Sequence, residues 1–562
     1  MSEFFQRPPA LGNQYDEDRV LKSYLEWRLP DSIFMELQPE LRQLGERVIT
    51  DIYQLGLMAE AEPPRHIPYD PWGKRIDHIE VSQAWKELDK ISAEEQLIAI
   101  GYKRQHGAFS RIHQFAKLYL FHPSSAIYTC PLAMTDGAAR AIELYGDDYL
   151  KQRAFSHLTS ADPNQFWTSG QWMTERTGGS DVSHTSTIAK QDGSHFRLHG
   201  VKWFTSATTS QMAMTLARIE GAPSGSKGLS LFYLELRDQG GHLNGIRINR
   251  LKDKLGTRAL PTAELTLDGA SAILVGEPGD GVKKISSLFN ITRIYNACCA
   301  VGYMRRALAL ARDYATKRVA FGRPLSEHGL HFETLADLQV EFEAAFHLVF
   351  HAIELLGKEE VKEASQSESA VLRLLTPLIK LYTAKQAIKV VSEALEAFGG
   401  AGYVEDTGLP RLLRDAQVLA IWEGTTNILS LDVLRAIRKE QAAEPFLQDI
   451  VGRLNNINTQ ELASSKESAL AAVTVLQAYM QSMSVMGEEE QQIAARRFAF
   501  SMAQAYAASL LLEHANWSLQ KNKGALVAIT AKRWCSKNLT PLLNPTEVYC
   551  KESYMLGLDS SN

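Results

Sequence analysis

Apolar residues recur at three- and four-residue spacing from Pro30 to about Pro163, with charges between them. That period predicts helices over Asp31–Leu57, Glu80–Ile100 and Ala138–Thr159, with Asp31 and Asp147 standing where helix caps are useful. From Trp167 to about Val282 the period shortens to two, as in His195-Phe196-Arg197-Leu198-His199, Arg247-Ile248-Asn249-Arg250-Leu251 and Ala263-Glu264-Leu265-Thr266-Leu267. Turn pairs separate these runs: Asp192-Gly193, Gly240-Gly241, Asp268-Gly269 and Asp280-Gly281. The stretch therefore predicts a small antiparallel β-domain. From Ile285 the helical period returns over Ile294–Arg318, Phe332–Leu356, Ala370–Phe398 and Leu412–Ile437, and four long helices with short joints predict an antiparallel bundle. Gln441–Ser482 and Gln491–Gln520 predict a further helical segment before a less regular tail.

The expected fold is mainly α with a central β-domain. Its units are an N-terminal helical domain (1–165), a middle β-domain (166–284), a C-terminal four-helix bundle (285–440) and an extra C-terminal helical domain (441–562). No internal repeat or low-complexity tract interrupts this order. It does not fit a doubly wound dinucleotide fold, and no GxGxxG follows a strand, so a cofactor must be held by another route.

Composition changes this picture little. The chain of 562 residues is 45% apolar and 22% charged, which is ordinary for a globular protein with a large core. A net charge of -5 argues against general polyanion binding. The five cysteines (Cys130, Cys298, Cys299, Cys535, Cys550) form no CxxC pair, which fits a reducing compartment, and no metal site is expected. The first residues carry acids and no apolar core, so neither a secretion signal nor an Arg-rich transit peptide is expected. No apolar run is long enough to span a bilayer, the last residues are not a peroxisomal address, and a cytoplasmic location is the expectation.

Four stretches draw chemical attention. They are Gln171-Trp172-Met173-Thr174-Glu175-Arg176-Thr177-Gly178-Gly179-Ser180-Asp181, Lys202-Trp203-Phe204-Thr205-Ser206, Lys317-Arg318-Val319-Ala320-Phe321-Gly322-Arg323, and a long one from Phe398-Gly399-Gly400 through Arg414-Asp415 to Trp422-Glu423-Gly424-Thr425-Thr426-Asn427. A Gly-Gly-Ser-Asp turn gathers backbone N–H groups and a hydroxyl suited to phosphate, or is an ordinary turn between strands. Trp203 covers an aromatic cofactor or simply fills a core. Arg318 pairs with phosphate or lies solvated on a helix end. Glu423 is a base or a surface residue.

Together and in this order, the stretches resemble the acyl-CoA dehydrogenase family. The likeness runs from roughly Trp167 to Arg438 and is carried by Met173-Thr174-Glu175, Gly179-Ser180-Asp181, Phe398-Gly399-Gly400, Arg414-Asp415 and Glu423-Gly424-Thr425. The added C-terminal segment and the Gly-Gly-Ser-Asp and Trp-Glu-Gly-Thr forms resemble its AidB-like branch.

The resemblance implies FAD as cofactor and an acyl-CoA as substrate. It places Met173, Thr174, Gly179 and Ser180 on a first loop that contacts flavin and substrate, and Trp203 and Thr205 on a second, where the ring packs on the indole and a hydroxyl meets its polar edge. Arg318 and Phe321 match a pair that reaches the FAD of a neighbouring subunit, so a homodimer or homotetramer is implied. Gly399 and Gly400 match the turn near the FAD pyrophosphate or ribose, and Thr425 and Asn427 follow the base. Glu423 matches the catalytic base, with Gly424 beside it, and Arg293 the contact to the CoA portion. A desolvated carboxylate with a raised pKa can take the weakly acidic α-proton of a thioester, and a positioned base contributes about 10²–10⁴-fold. Three positions depart from the common pattern. Asn290 stands where many members have Asp near CoA, Glu396 where many have Gln, and Gly329 where an adenine-contacting Gln is common.

The leading expectation is therefore α,β-desaturation of an acyl-CoA, with an electron-transfer flavoprotein as a possible acceptor. A second reading is a flavoprotein that holds acyl-CoA with little turnover; the presence of Glu423 favours the enzyme. A third, a nucleic-acid-associated role, is disfavoured. Residues 441–562 carry ten Lys and Arg against eleven Asp and Glu, where a phosphate-tracking surface is basic. Lys521, Lys523, Lys532, Arg533 and Lys537 do form a local cluster.

Overall fold

The computed structural model describes residues 5–559. Helices from Arg19 to Leu158 are followed by strands between Ser169 and Leu274, and helices resume at Gly281. The chain is thus mainly helical with a central β-domain, as its periodicity predicts.

The N-terminal part is not wholly helical. Strands β1 (Arg65–Tyr69) and β2 (Arg75–Glu80) form an antiparallel hairpin inside it. Pro63, Pro64, Pro68 and Pro71 exclude a helix there, and Gly73 turns the chain at φ +84°. Asp147 caps as expected, accepting from Leu150 N at 2.8 Å. Asp31 does not cap; Pro30 holds that position and Asp31 lies in the first turn.

The central sheet is mixed rather than antiparallel. Its strands are β3 (Ser169–Trp172), β4 (Ile188–Asp192), β5 (His195–Ser206), β6 (Met212–Ile219), β7 (Leu229–Glu235), β8 (Ile246–Leu251) and β9 (Thr262–Leu274). β3 and β4 both run parallel to β6, and the pairings β6–β4–β5–β9–β7–β6 close on themselves. β6 is buried on both faces. Ala213 and Ala217 point into the barrel, while Met212, Met214 and Leu216 pack on Ala138, Ile142, Ile285 and Leu288 of the flanking helices. A strand covered on both sides loses polar alternation, so Met212–Ala217 is apolar except for the buried Thr215.

The bundle comprises Gly281–Lys317, Gly329–Glu360, Gln366–Glu396 and a fourth element in two pieces, Leu409–Leu419 and Thr426–Glu440. Ser365 and Glu368 form a reciprocal capping box at the start of the third helix. Ser365→Ala is expected to lower stability in a denaturant titration by about 1 kcal/mol. The predicted single helix over Leu412–Ile437 is broken because Glu423 and Gly424 both take positive φ.

The last segment shares the main core rather than standing apart. The helix Glu488–Gln520 brings His514 into hydrogen bonds with His347 (2.8 Å) and Ser23 (2.9 Å), with Trp27 stacked on its ring. Gln441–Ser482 is divided into Ala443–Asn455 and Ala463–Met483, and the tail contains helices Leu526–Cys535 and Glu547–Leu558. All five cysteines are buried and free.

Candidate active site

Glu423 lies on the break between the two pieces of the fourth bundle element. Its φ is +57°, a left-handed conformation that costs a non-glycine residue about 1–3 kcal/mol, and Gly424 follows at φ +104°. Side chains from other elements hold this turn. Arg293 Nε donates to Glu423 O at 3.4 Å, and Lys380 Nζ donates to Gly424 O. The carboxylate is bridged between domains: Thr292 Oγ1 of the first bundle helix donates to Oε2 at 3.0 Å, and Gln171 Nε2 of β3 donates to Oε1 at 3.3 Å. Burial pushes the Glu423 carboxyl above the ordinary carboxylate range, against the opposing pull of Thr292, Arg293, Gln171 and Lys380. The preceding residue is fixed as well. The Asn296 amide satisfies both neighbours when its nitrogen faces Leu419 O (3.2 Å) and its oxygen faces Trp422 Nε1 (2.8 Å).

Arg293 stands beside Glu423, but its Nη1 pairs with Asp432 at 2.9 Å, which also pairs with Arg373. Asn290 is half-buried on the same helix.

Across from the bundle, Met173 is buried and Thr174 half-buried, and the two predicted loops are joined by Trp203 N donating to Thr174 O at 2.9 Å. Lys252 Nζ lies 3.6 Å from the Trp203 ring centroid and Arg176 lies 4.7 Å from it. Gly179 and Ser180 are exposed on the loop. Thr205 is placed differently from the expectation. It is fully buried and donates to Ala263 O at 2.8 Å, so its hydroxyl is committed to the sheet. The loop is anchored beneath by Glu175, which accepts from Lys202 Nζ (2.7 Å), Ser186 N (2.7 Å) and the hydroxyls of Ser186 and Thr187.

A second cluster lies in a groove of about 520 Å³ lined by Arg318, His331, Glu396 and the turn Phe398–Ala401, among others. Arg318 and Gly399-Gly400 therefore share one groove, which contains none of the residues that hold Glu423. At both glycines the space a Cβ would occupy is open, and His331 Nε2 is buried without a partner. Phe321 projects from the adjoining hairpin at φ +51°, 98% exposed, and Gly329 is exposed nearby in sequence. Thr425 is the exposed first cap of the helix Thr426–Glu440 and makes no capping bond, and Asn427 is exposed on its first turn.

The sequence reading assigned no role to Gln171, Thr292, Lys380 or the Glu175–Lys202 pair. Lys380 had a signal, a single cation inside the apolar run Leu374–Tyr382, where lysine is rare unless it is paired. Thr292 had none, because a threonine one residue before an arginine is unremarkable until the fold brings Glu423 to it.

Helical domain, closed sheet and bundle, with a half-buried carboxylate bridged between sheet and bundle, define the class. The chain belongs to the acyl-CoA dehydrogenase family, in its AidB-like branch. The family's C-terminal domain matches residues 279–438 and its middle domain 170–270. The adaptive response protein AidB N-terminal domain matches 6–162, and the acyl-CoA dehydrogenase 11 C-terminal domain-like family matches 441–561. Acyl-CoA dehydrogenase family member 11 of Caenorhabditis elegans is 47% identical over 557 residues, covering 96% of this chain and 90% of that protein. The putative acyl-CoA dehydrogenase AidB of Escherichia coli is 32% identical over 420 residues, covering 73% and 76%. The crystal structure of Caenorhabditis elegans ACDH-11 in complex with C11-CoA superposes with a TM-score of 0.96 at 45% identity, covering 100% of this chain and 98% of that one.

Lys523, Lys532, Arg533 and Lys537 each pair with a carboxylate, respectively Glu26, Glu461, Glu333 with Asp337, and Glu341. Four of the five cations of the basic cluster in the last domain are thus paired with carboxylates. No helix among the described residues is long and apolar enough to cross a membrane.

Proposed function

We propose that this chain is an FAD-dependent enzyme that desaturates an acyl-CoA at the α,β bond, with Glu423 as the base. The observation that carries the reading is the Glu423 carboxyl, half-buried, lifted above the usual carboxylate range by desolvation, and bridged by Gln171 and Thr292. A surface or capping glutamate has none of these features. That a 45% identical relative was crystallised with C11-CoA supports an acyl-CoA as the ligand here.

The residues present suit FAD. Trp203 beside Met173 and Thr174 would hold the ring, and Arg318 with the open Gly399-Gly400 turn and the unpartnered His331 Nε2 would hold the phosphate end. When bound, FAD supplies the two-electron acceptor for the hydrogen that leaves the β-carbon. The chain's own part is proton chemistry and alignment. Glu423 Oε takes the α-proton, and its raised pKa brings it closer in basicity to that carbon acid. Thr292 and Gln171 aim the carboxylate. The Glu423 backbone N–H makes no hydrogen bond among the described residues and is free to polarise the thioester carbonyl.

The groove lies beside a fully exposed phenylalanine, Phe321, which supports a second copy of the chain completing the FAD site, in a homodimer or homotetramer. A cytoplasmic location and an electron-transfer flavoprotein acceptor accompany this reading. Arg318→Ala is expected to raise the FAD dissociation constant about tenfold, the worth of one charge-assisted phosphate contact, measured by fluorescence of released flavin.

The test is anaerobic titration of the purified holoprotein with saturated acyl-CoAs of increasing length, C11-CoA included, while the oxidised-flavin band is followed. Bleaching of the band is the expected result. A band that shifts without bleaching for every acyl-CoA would replace desaturation with binding alone, and protein without flavin would end the proposal.

A further inference from the structure

Lys380 sits at the middle of the third bundle helix, fully buried, and donates its one hydrogen bond to Gly424 O, the carbonyl that follows the base. Among the described residues it has no ion-pair partner of its own. The other cations near the base are already claimed. Arg293, from the first bundle helix, pairs with Asp432, which also pairs with Arg373, and Arg373 pairs in turn with Glu440. That group of two arginines and two carboxylates is balanced. Cys130, from the N-terminal helices, also faces Glu423 across the site and is held as a neutral thiol by burial. Gln171 and Thr292 contribute no charge. Among the described residues, Lys380 is thus the one cation facing Glu423 whose charge no other carboxylate takes up.

We propose that Lys380 is a positioning residue for the reaction proposed above: its hydrogen bond clamps the strained Glu423-Gly424 turn, and its charge keeps Glu423 ionised and ready to accept the α-proton. Two forces bear on the pair. Burial raises the Glu423 pKa, and lowers that of Lys380 to about 7. Each then stabilises the charged form of the other, so the acid limb of catalysis belongs to the pair and not to either group. The clamp answers a mechanical need, since a glutamate at φ +57° persists only where its surroundings over-determine it.

The sign of the charge effect is definite. Removing the ammonium leaves burial opposed by Thr292, Arg293 and Gln171 alone, so Glu423 stays protonated to higher pH. The rate at low pH falls and is recovered above the displaced limb.

Two variants separate the roles. Lys380→Gln keeps a donor for Gly424 O and removes the charge, whereas Lys380→Met removes both. Anaerobic flavin reduction by an acyl-CoA is measured against pH in wild type and both variants, with flavin content and melting as folding controls. Both limbs are expected to move about one unit alkaline, a fall of about tenfold well below the limb. The high-pH plateau is expected to be kept by Gln and lowered by Met. A uniform loss at every pH with unmoved limbs would overturn the charge role, and plateaus equal in Gln and Met would overturn the clamp. An infrared titration reads Glu423 without turnover, through the carboxylic-acid band that Glu423→Gln deletes. The band is expected to persist to higher pH in Lys380→Gln than in wild type, and an unmoved band would overturn the proposal even where no acyl-CoA reduces the flavin. Wild type that is reduced while Glu423→Gln is not would uphold the parent reading whichever way Lys380 falls.

Discussion

Glu423→Gln is expected to leave the flavin bound and oxidised when acyl-CoA is added without air, with the reduction rate down by about 10²–10⁴-fold. The amide keeps the size of the side chain and can still accept from Thr292, so binding survives while the proton acceptor is gone. Stopped-flow reduction gives the rate, and the perturbation of the oxidised flavin band gives the affinity. The same variant carries a stability signature. Glu423 is lifted by burial, so between the ordinary carboxylate range and its raised value the folded protein holds a proton that the unfolded chain has lost. Stability from this group therefore falls as pH rises through that window. The Gln variant lacks the penalty and is expected to gain on wild type as pH rises, measured by denaturant unfolding at several pH values. Loss of reduction with no such gain would mean that desolvation does not raise the Glu423 carboxyl.

The second large effect is expected beneath the proposed flavin loop, at residues that take no part in the proton transfer. Lys202 and Glu175 are both fully buried, 2.7 Å apart, beneath the loop that carries Met173 and Thr174. Burial alone would raise the Glu175 carboxyl, but Lys202 and the hydrogen bonds from Ser186 and Thr187 hold it down, to about 2. Lys202→Met strands that carboxylate in the sheet, and a stability loss of about 3–5 kcal/mol is expected. The wild-type pair contributes stability that is present above the ordinary carboxylate range and lost as pH falls toward about 2. The deficit of the variant is accordingly expected to shrink in acid, where Glu175 takes up a proton in both proteins. The double variant Glu175→Gln with Lys202→Met is expected to recover most of the loss, because no buried charge is then unpaired. A double variant as unstable as the single one would assign the effect to packing instead.

Local pattern reaches a long way in this protein because periods of 3.6 and 2 follow from backbone geometry and need only neighbouring residues. The helical opening, the β-region after Trp167, the return of helices and the added last segment are all readable as changes of period. The readings fail where a distant partner decides. β6 lies parallel to β3 and β4, a pairing between strands that are not neighbours in sequence, which no local alternation encodes. The hairpin at Arg65–Glu80 was missed because its signal, prolines around a glycine turn, is short beside the helical texture around it.

The site divides in the same way. Glu423, the glycine turn at Gly399-Gly400, Arg318 and Trp203 belong to contiguous runs whose residue types and order are legible in one chain, and so is the class of chemistry they suit. Whether Glu423 can act as a base is not a local property. Its raised pKa comes from burial that only the packed domains create, and its aim comes from Gln171 and Thr292, which lie 252 and 131 residues away in the chain. Thr205 illustrates the converse, a hydroxyl of the expected type that the sheet takes for its own Ala263 carbonyl. The sequence by itself determined which residues are available and the local conformations they favour. The tertiary structure alone decided which of them meet, how much water is left around them and so how they ionise, because desolvation and hydrogen-bond geometry depend on distances that chain order does not contain.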